Sequence, residues 1–246
     1  MLKKQIPNLI TLLNLLSGSI AVILALQNQL LMATVFVGLG IFFDFFDGLA
    51  ARSLNVQSEL GLQLDSLADM VTSGLVPGIV MFQLLCQALG ADVLAPLAWG
   101  ASTFKINFPL IALFGLLITL GSAYRLAKFN IDDRQTSSFI GLPTPANAIL
   151  ILSLPLILHF HESEMVTTFI LNPYFLIGLS ILSCILLNAE VALFALKFKN
   201  LSLKDNWYKF LFLLISLVGI VVFHFIALPF IILGYILLSV LAQNKA

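Results

Sequence analysis

Long apolar runs, broken at intervals by short polar stretches, set the pattern of this chain. A spanning helix needs roughly 20 mostly apolar residues. Candidates fall near 7–28, 31–51, 62–89, 107–129, 143–160, 169–194, 207–225 and 227–243, which predicts eight helices. Between the last two, Pro229 closely follows His224 and marks either a tight turn between two spans or a kink in one longer segment. Polar positions inside the runs are periodic too. In the first, Asn8, Thr11, Asn14 and Gly18 recur at three- and four-residue spacing and share one helical face. That face is either packing contact between neighbouring spans or, for Asn8 and Thr11 near the helix start, the wall of a polar ligand pocket. No polar segment is long enough to bury a core of its own. One domain therefore covers 1–246, with a main body of about 1–195 and an extra helical hairpin of about 205–243.

Composition turns these helices into a membrane bundle. Hydrophobic residues make up 60% of the chain and charged ones 10%, with a mean hydropathy of +1.07. These values exclude an ordinary soluble domain and give an all-α, polytopic membrane helix bundle. The net charge of zero says little about partners, and no nucleic-acid partner is expected; placement carries the information instead. With the N-terminus inside, Lys3, Lys4, Arg52, Arg125, Lys128, Arg134, Lys197, Lys199, Lys204, Lys209 and Lys245 fall on the cytoplasmic side and only Lys105 opposite. The positive-inside rule then puts both termini in the cytoplasm. Lys3 and Lys4 before an apolar run suggest a signal peptide, but no small-residue cleavage site follows, so the run is taken as the first span. Cys86 and Cys184 lack metal-ligand spacing, which leaves small core residues. His159, His161 and His224 sit at the outer ends, away from any acid cluster.

The stretch from Asp44 to Asp69 contradicts this greasy setting, because an ionised carboxylate inside a spanning helix is expensive and marks a functional site by default. Asp44 and Asp47 lie about 60° apart on the second helix, and Asp65 and Asp69 about 40° apart on the third. A short connection makes the two helices antiparallel neighbours, so both pairs converge near the cytoplasmic surface. Gly48, Ala51 and Gly61 leave space beside them, and Arg52 adds a planar guanidinium suited to phosphate oxygens. Acids, space and a cation in one place describe a metal-plus-phosphate site. Four carboxylates are enough for two hard divalent ions, Mg²⁺ or Mn²⁺, an arrangement suited to phosphoryl chemistry.

Written out, the stretch is D-x2-D-G-x2-A-R-x8-G-x3-D-x3-D, carried by Asp44, Asp47, Gly48, Ala51, Arg52, Gly61, Asp65 and Asp69. It resembles the signature of the CDP-alcohol phosphatidyltransferases at every specified position. The resemblance implies a membrane enzyme that moves a phosphatidyl group from a CDP-linked lipid to an alcohol and releases CMP. It implies that Asp44, Asp47, Asp65 and Asp69 hold two divalent cations, and that Asp69 is also the base for the incoming hydroxyl. Gly48, Ala51, Arg52 and Gly61 would hold the CDP moiety, beside Asn8 and Thr11. A homodimer in the cytoplasmic membrane, with its active site facing the cytoplasm, is a further implication.

Two later stretches bear on the acceptor. Tyr124 to Asn130, Y-R-L-A-K-F-N, and Gly141 to Ala148, G-L-P-T-P-A-N-A, resemble the bacterial and archaeal-type phosphatidylserine synthase branch, with Lys128 in place of Arg and Asn147 within a run of small residues. This implies CDP-diacylglycerol and L-serine as substrates. Serine brings a carboxylate to a site already rich in negative charge, so a cation is needed beside the acceptor pocket. Arg125 and Lys128, one turn apart, are placed to supply it. Basic residues at the cytoplasmic end of a span also serve simply to set topology. Glycerol 3-phosphate, inositol phosphate or choline remain alternative acceptors, and a divalent-cation transporter is the alternative of another class.

Overall fold

Apolar residues surround the third helical segment on nearly every side, and it becomes the buried axis of a helix bundle. The computed structural model describes residue 3 and residues 5–91, 108–132, 139–193 and 203–243. Lys4, Lys105, Arg134, Lys197, Lys199 and Lys245, counted above for orientation, lie outside the described residues, as do the side chains of 203–209. Ten α-helical segments are described: α1 (Gln5–Leu26), α2 (Leu30–Ser53), α3 (Glu59–Asp69), α4 (Val76–Ala88), α5 (Leu117–Ile131), α6 (Thr144–Phe160), α7 (Glu164–Ile170), α8 (Pro173–Asn188), α9 (Leu203–Phe223) and α10 (Ala227–Gln243). A π-helical turn, Met70–Leu75, joins α3 to α4, and a 3₁₀ segment, Leu110–Leu116, leads into α5. Phe139–Ile140 and Ala192–Leu193 form the only strand pair among the described residues, antiparallel and two residues long.

Local signals explain the boundaries. Ser58 is extended and its Oγ accepts from the Gly61 N–H at 3.1 Å, starting α3 directly after the second helix. Asn28 and Asn55 take left-handed backbone (φ 60° and 53°), which asparagine tolerates where helices end. The π turn has its cause in Pro77. Proline has no N–H to donate to Ser73, and the preceding ladder widens so that Val76 N–H reaches the Val71 carbonyl instead.

Two sequence boundaries need correction, and one left open is decided. The predicted 169–194 span is two helices, α7 and α8, bent by 53°. Asn172 caps α8 through the N–H groups of Tyr174 and Phe175, and Pro173 occupies its first turn, so the chain restarts there. Helix α8 also ends at Asn188, because 192–193 pair with 139–140. The 210–241 stretch is apolar enough to read as one 32-residue span, but the Phe212 and Tyr235 rings lie 6.1 Å apart. Those positions would be ~34 Å apart in a straight helix, so α9 and α10 are an antiparallel hairpin. His224 (φ 50°) and the 3₁₀ turn His224–Ile226 reverse the chain, not Pro229, which lies inside α10.

Among the described residues, five helices are long and apolar enough to cross a membrane when α9 and α10 are taken together, or six with the bent α7–α8 pair, while α6 at 17 residues is shorter. Each of the eight sequence candidates overlaps a described helix in position. Leu9, Phe45, Leu120, Val221 and Phe230 are among the many large apolar side chains left on the outside; water would make this surface a liability, and lipid makes it the natural exterior. The interior core combines α1, α2, α4 and α6, and a smaller cluster joins Leu142 and Leu150 to Phe212, Ile232 and Tyr235 of the hairpin. Packing around α4 is close enough that a Cβ on Gly115 would stand 2.5 Å from the Phe82 backbone nitrogen. Gly115→Ala should therefore lower the thermal midpoint by the equivalent of about 1–3 kcal/mol, the usual cost of overpacking. An unchanged midpoint in detergent would show that the 3₁₀ segment yields at no cost.

Candidate active site

Helix α1 supplies the polar face that the acids of α2 and α3 meet. Thr11 Oγ1 lies 2.5 Å from Asp47 Oδ2 and 3.1 Å from the Pro7 carbonyl. One turn on, Asn14 Nδ2 donates to Asp69 Oδ1 at 3.4 Å. Asp47 and Asp69 are thus each held from α1 by a neutral donor. Asp44, Asp47 and Asp65 converge: each offers an oxygen, and the three lie within 4.8 Å of one another. Asp44 also lies within hydrogen-bonding reach of Asp69. Asp69 therefore adjoins the triad and is anchored from the α1 side.

Among the described residues, no lysine or arginine forms an ion pair with any of the four acids; Lys128 and Glu190 make the pair that is seen there, at 2.9 Å. Three convergent carboxylates with no lysine or arginine in ion-pair contact fit a hard divalent ion, whose positive charge offsets their mutual repulsion. The residues present could hold a metal ion.

A cavity of about 500 Å³ opens beside the triad between α1, α2 and α3. It brings together Asn8, Thr11, Gly48, Ala51, Arg52 and Gly61 with Asp47 and Asp65. The Arg52 guanidinium lies over Gly48, where a Cβ would sit 3.6 Å from Nη1. Gln57 and Ser58 of the α2–α3 connection also line the cavity, next to Glu59 at the start of α3. Sequence spacing did not reveal them, since loop residues carry no helical periodicity. At Gly61, Ser58 Oγ and Asn8 Oδ1 stand 3.2 and 3.4 Å from a Cβ position, so Gly61→Val should fill the cavity wall. We expect the KM for the cavity's ligand to rise by about tenfold or more, from about 1.4 kcal/mol or more of lost binding; an unchanged KM would place that ligand elsewhere.

Arg125 and Lys128 are not in this cavity. They flank a small crevice with Ile140, Leu187 and Asn188. Within it Lys128 turns to Glu190 and ties the end of α5 to the segment that follows α8. Arg125 turns inward, is only 7% exposed, and has no hydrogen-bond partner for Nε. Its charge lies close enough to Asp69 and to the Tyr235 hydroxyl of α10 to interact with both. The G-L-P stretch has a structural duty. Gly141 (φ 74°) and Leu142 donate to the carbonyls of Val191 and Leu186, and a Cβ at Gly141 would meet the Leu187 carbonyl at 2.5 Å. It sets the entrance of α6 against the end of α8, beside Arg125.

Comparison with known proteins agrees with this geometry. A family model described as CDP-alcohol phosphatidyltransferase matches residues 4–186. The chain is 36% identical over 140 residues to a CDP-diacylglycerol–serine O-phosphatidyltransferase of Bacillus subtilis, covering 57% of this chain and 69% of that one. It is 32% identical over 148 residues to the Helicobacter pylori (strain J99) protein of the same name, spanning 59% of this chain and 55% of that one. To the Methanocaldococcus jannaschii protein of that name it is 29% identical over 180 residues, 72% of this chain and 71% of that one.

Proposed function

We propose, from the premise that the chain belongs to the CDP-alcohol phosphatidyltransferase family, that it transfers the phosphatidyl group of CDP-diacylglycerol to the hydroxyl of L-serine, giving phosphatidylserine and CMP. Relatives that carry this activity in their names support the reading. The observation that carries the acceptor is Arg125: a buried guanidinium beside Asp69, with no ion pair among the described residues, calls for an anionic partner such as the serine carboxylate.

The cytidine diphosphate occupies the cavity of Asn8, Thr11, Gly48, Ala51, Arg52 and Gly61, with acyl chains in the bilayer. Gly48 and Gly61 admit the nucleotide, and Arg52 holds a phosphate oxygen. Asp44, Asp47, Asp65 and Asp69 would hold two divalent cations, Mg²⁺ or Mn²⁺, which would supply positive charge beside the phosphate oxygens. Arg125 orients serine by its carboxylate. Asp69 accepts the hydroxyl proton as the serine oxygen forms its bond to the lipid-side phosphorus and the bond from that phosphorus to the CMP oxygen breaks. The transfer is direct, with no phosphatidyl-enzyme, because the alcohol is itself the nucleophile. The site faces the cytoplasm, since Arg52, Arg125 and Lys128 lie at the same helix ends as the acids. Residues 1–195 form the catalytic core, and the hairpin of 205–243 braces it.

The test is CMP release from membranes containing the protein, with CDP-diacylglycerol, Mg²⁺ or Mn²⁺, and a panel of alcohols. Release should depend on L-serine; release with another alcohol but not serine would overturn the acceptor, and none with any would overturn the reaction. Chelation should abolish release. Adding Mg²⁺ or Mn²⁺ at 100 times its Kd should stabilise the detergent-solubilised protein by about 2.7 kcal/mol for each site filled, and a thermal midpoint indifferent to either ion would argue against a metal site.

A further inference from the structure

We propose that Thr72 and Asn14 form a relay that positions the Asp69 carboxylate, with the Thr72 hydroxyl setting which end of the Asn14 amide faces the acid. Neither residue contributes to the family signature described above, and nothing in the spacing of the sequence connects them. Both are completely buried.

Thr72 Oγ1 donates to Asn14 Oδ1 at 2.7 Å, with the Asn14 backbone carbonyl as a second acceptor at 3.3 Å. An asparagine amide has a donor end and an acceptor end, and its orientation follows from its partners. With Oδ1 engaged by the Thr72 hydroxyl, Nδ2 is the end presented to Asp69, where it donates to Oδ1 at 3.4 Å. If the amide turned over, its oxygen would face a carboxylate oxygen, an acceptor against an acceptor. The relay thus engages Asp69 Oδ1 from the α1 side and fixes how the carboxylate is presented to Asp44 and the rest of the acid cluster.

The backbone is built to put Thr72 there. Thr72 lies in the π-helical turn that follows Asp69, a widening of a kind found often at functional sites. Glycines on two other helices make room for it. A Cβ on Gly40 of α2 would stand 2.5 Å from Thr72 Cγ2 and 2.9 Å from Asn14 Oδ1, and one on Gly18 of α1 would stand 3.1 Å from the Thr72 Cα. Three helices therefore close on one threonine, and packing leaves its hydroxyl little freedom to turn elsewhere.

This inference rests on the proposed role of Asp69 in phosphatidyl transfer. Thr72→Val keeps the shape and removes the hydroxyl, whereas Thr72→Ser keeps the hydroxyl. Thr72→Val should lower kcat for serine-dependent CMP release by about 10- to 100-fold, the usual cost of losing an outer-shell partner, with the KM for CDP-diacylglycerol unchanged. Thr72→Ser should retain kcat within a few fold. The two contacts are in series, so Asn14→Ala combined with Thr72→Val should be no slower than Asn14→Ala alone. Wild-type kcat in Thr72→Val, equal losses in Thr72→Val and Thr72→Ser, or additive losses in the double variant would overturn the relay and leave the transfer reaction standing. Wild-type protein that releases no CMP with any alcohol would overturn the reaction, and the relay with it.

Discussion

Asp65→Asn should leave a folded bundle and cut serine-dependent CMP release by more than about 100-fold, beyond the upper end of what an outer-shell contact costs. Asparagine has nearly the same shape as aspartate, so packing is not the issue. What disappears is one of the three oxygens gathered within 4.8 Å, together with its charge. A neutral amide oxygen is a weaker ligand for a hard divalent ion, and the remaining acids cannot move to replace it because Thr11 holds Asp47 and α2 holds Asp44. Without metal, the variant should be at least as stable as the parent, since removing one of several crowded like charges relieves repulsion. With Mg²⁺ or Mn²⁺, it should lose the stabilisation expected of the parent. Transfer close to the parental rate at saturating metal would sink the assignment of Asp65 as a ligand.

Replacing Arg125 should separate acceptor binding from the rest of the site. Truncating one partner of a buried, hydrogen-bonded charge pair costs about 2–5 kcal/mol, so Arg125→Met should raise the KM for serine by roughly 30-fold or more. The KM for CDP-diacylglycerol should stay put, because the nucleotide cavity contains none of Arg125. Ethanolamine, which lacks the carboxylate, should be used no worse by the variant than by the parent. An unchanged serine KM would remove Arg125 from the acceptor site. Arg125→Lys tests geometry as well as charge: a point charge lacks the planar fork, so it should recover only part of the loss. Tyr235→Phe should have a smaller effect in the same direction, since that hydroxyl adjoins Arg125.

Much of the site was legible before any coordinates. The acids of α2 and α3 stand at spacings that put each pair on one face, and a short connection permits only antiparallel neighbours, so their convergence follows from helix geometry. Asn8, Thr11, Gly48, Ala51, Arg52 and Gly61 do meet in one cavity. Asn14 belonged to the same stripe, but its partner Asp69 is 55 positions away, and periodicity within one helix says nothing about which neighbour it meets. Thr72 had no signal at all, because a threonine in an apolar run looks like any other small residue until the π turn and two glycines close on it. The one-turn spacing of Arg125 and Lys128 suggested a shared task; Glu190, in the segment after α8, gives Lys128 a partner of its own.

The amino-acid sequence by itself determined the class of molecule, the positions of its helical segments, the acid cluster and the family, because hydropathy and residue spacing act within a helix or across a short connection. Tertiary structure decided which helix is the buried axis, that the last stretch doubles back at His224, and that α1 holds two of the acids through Thr11 and Asn14. It also decided which of two basic residues faces inward. These are contacts between residues far apart in the chain, chosen by how complete helices pack, and no local pattern encodes them.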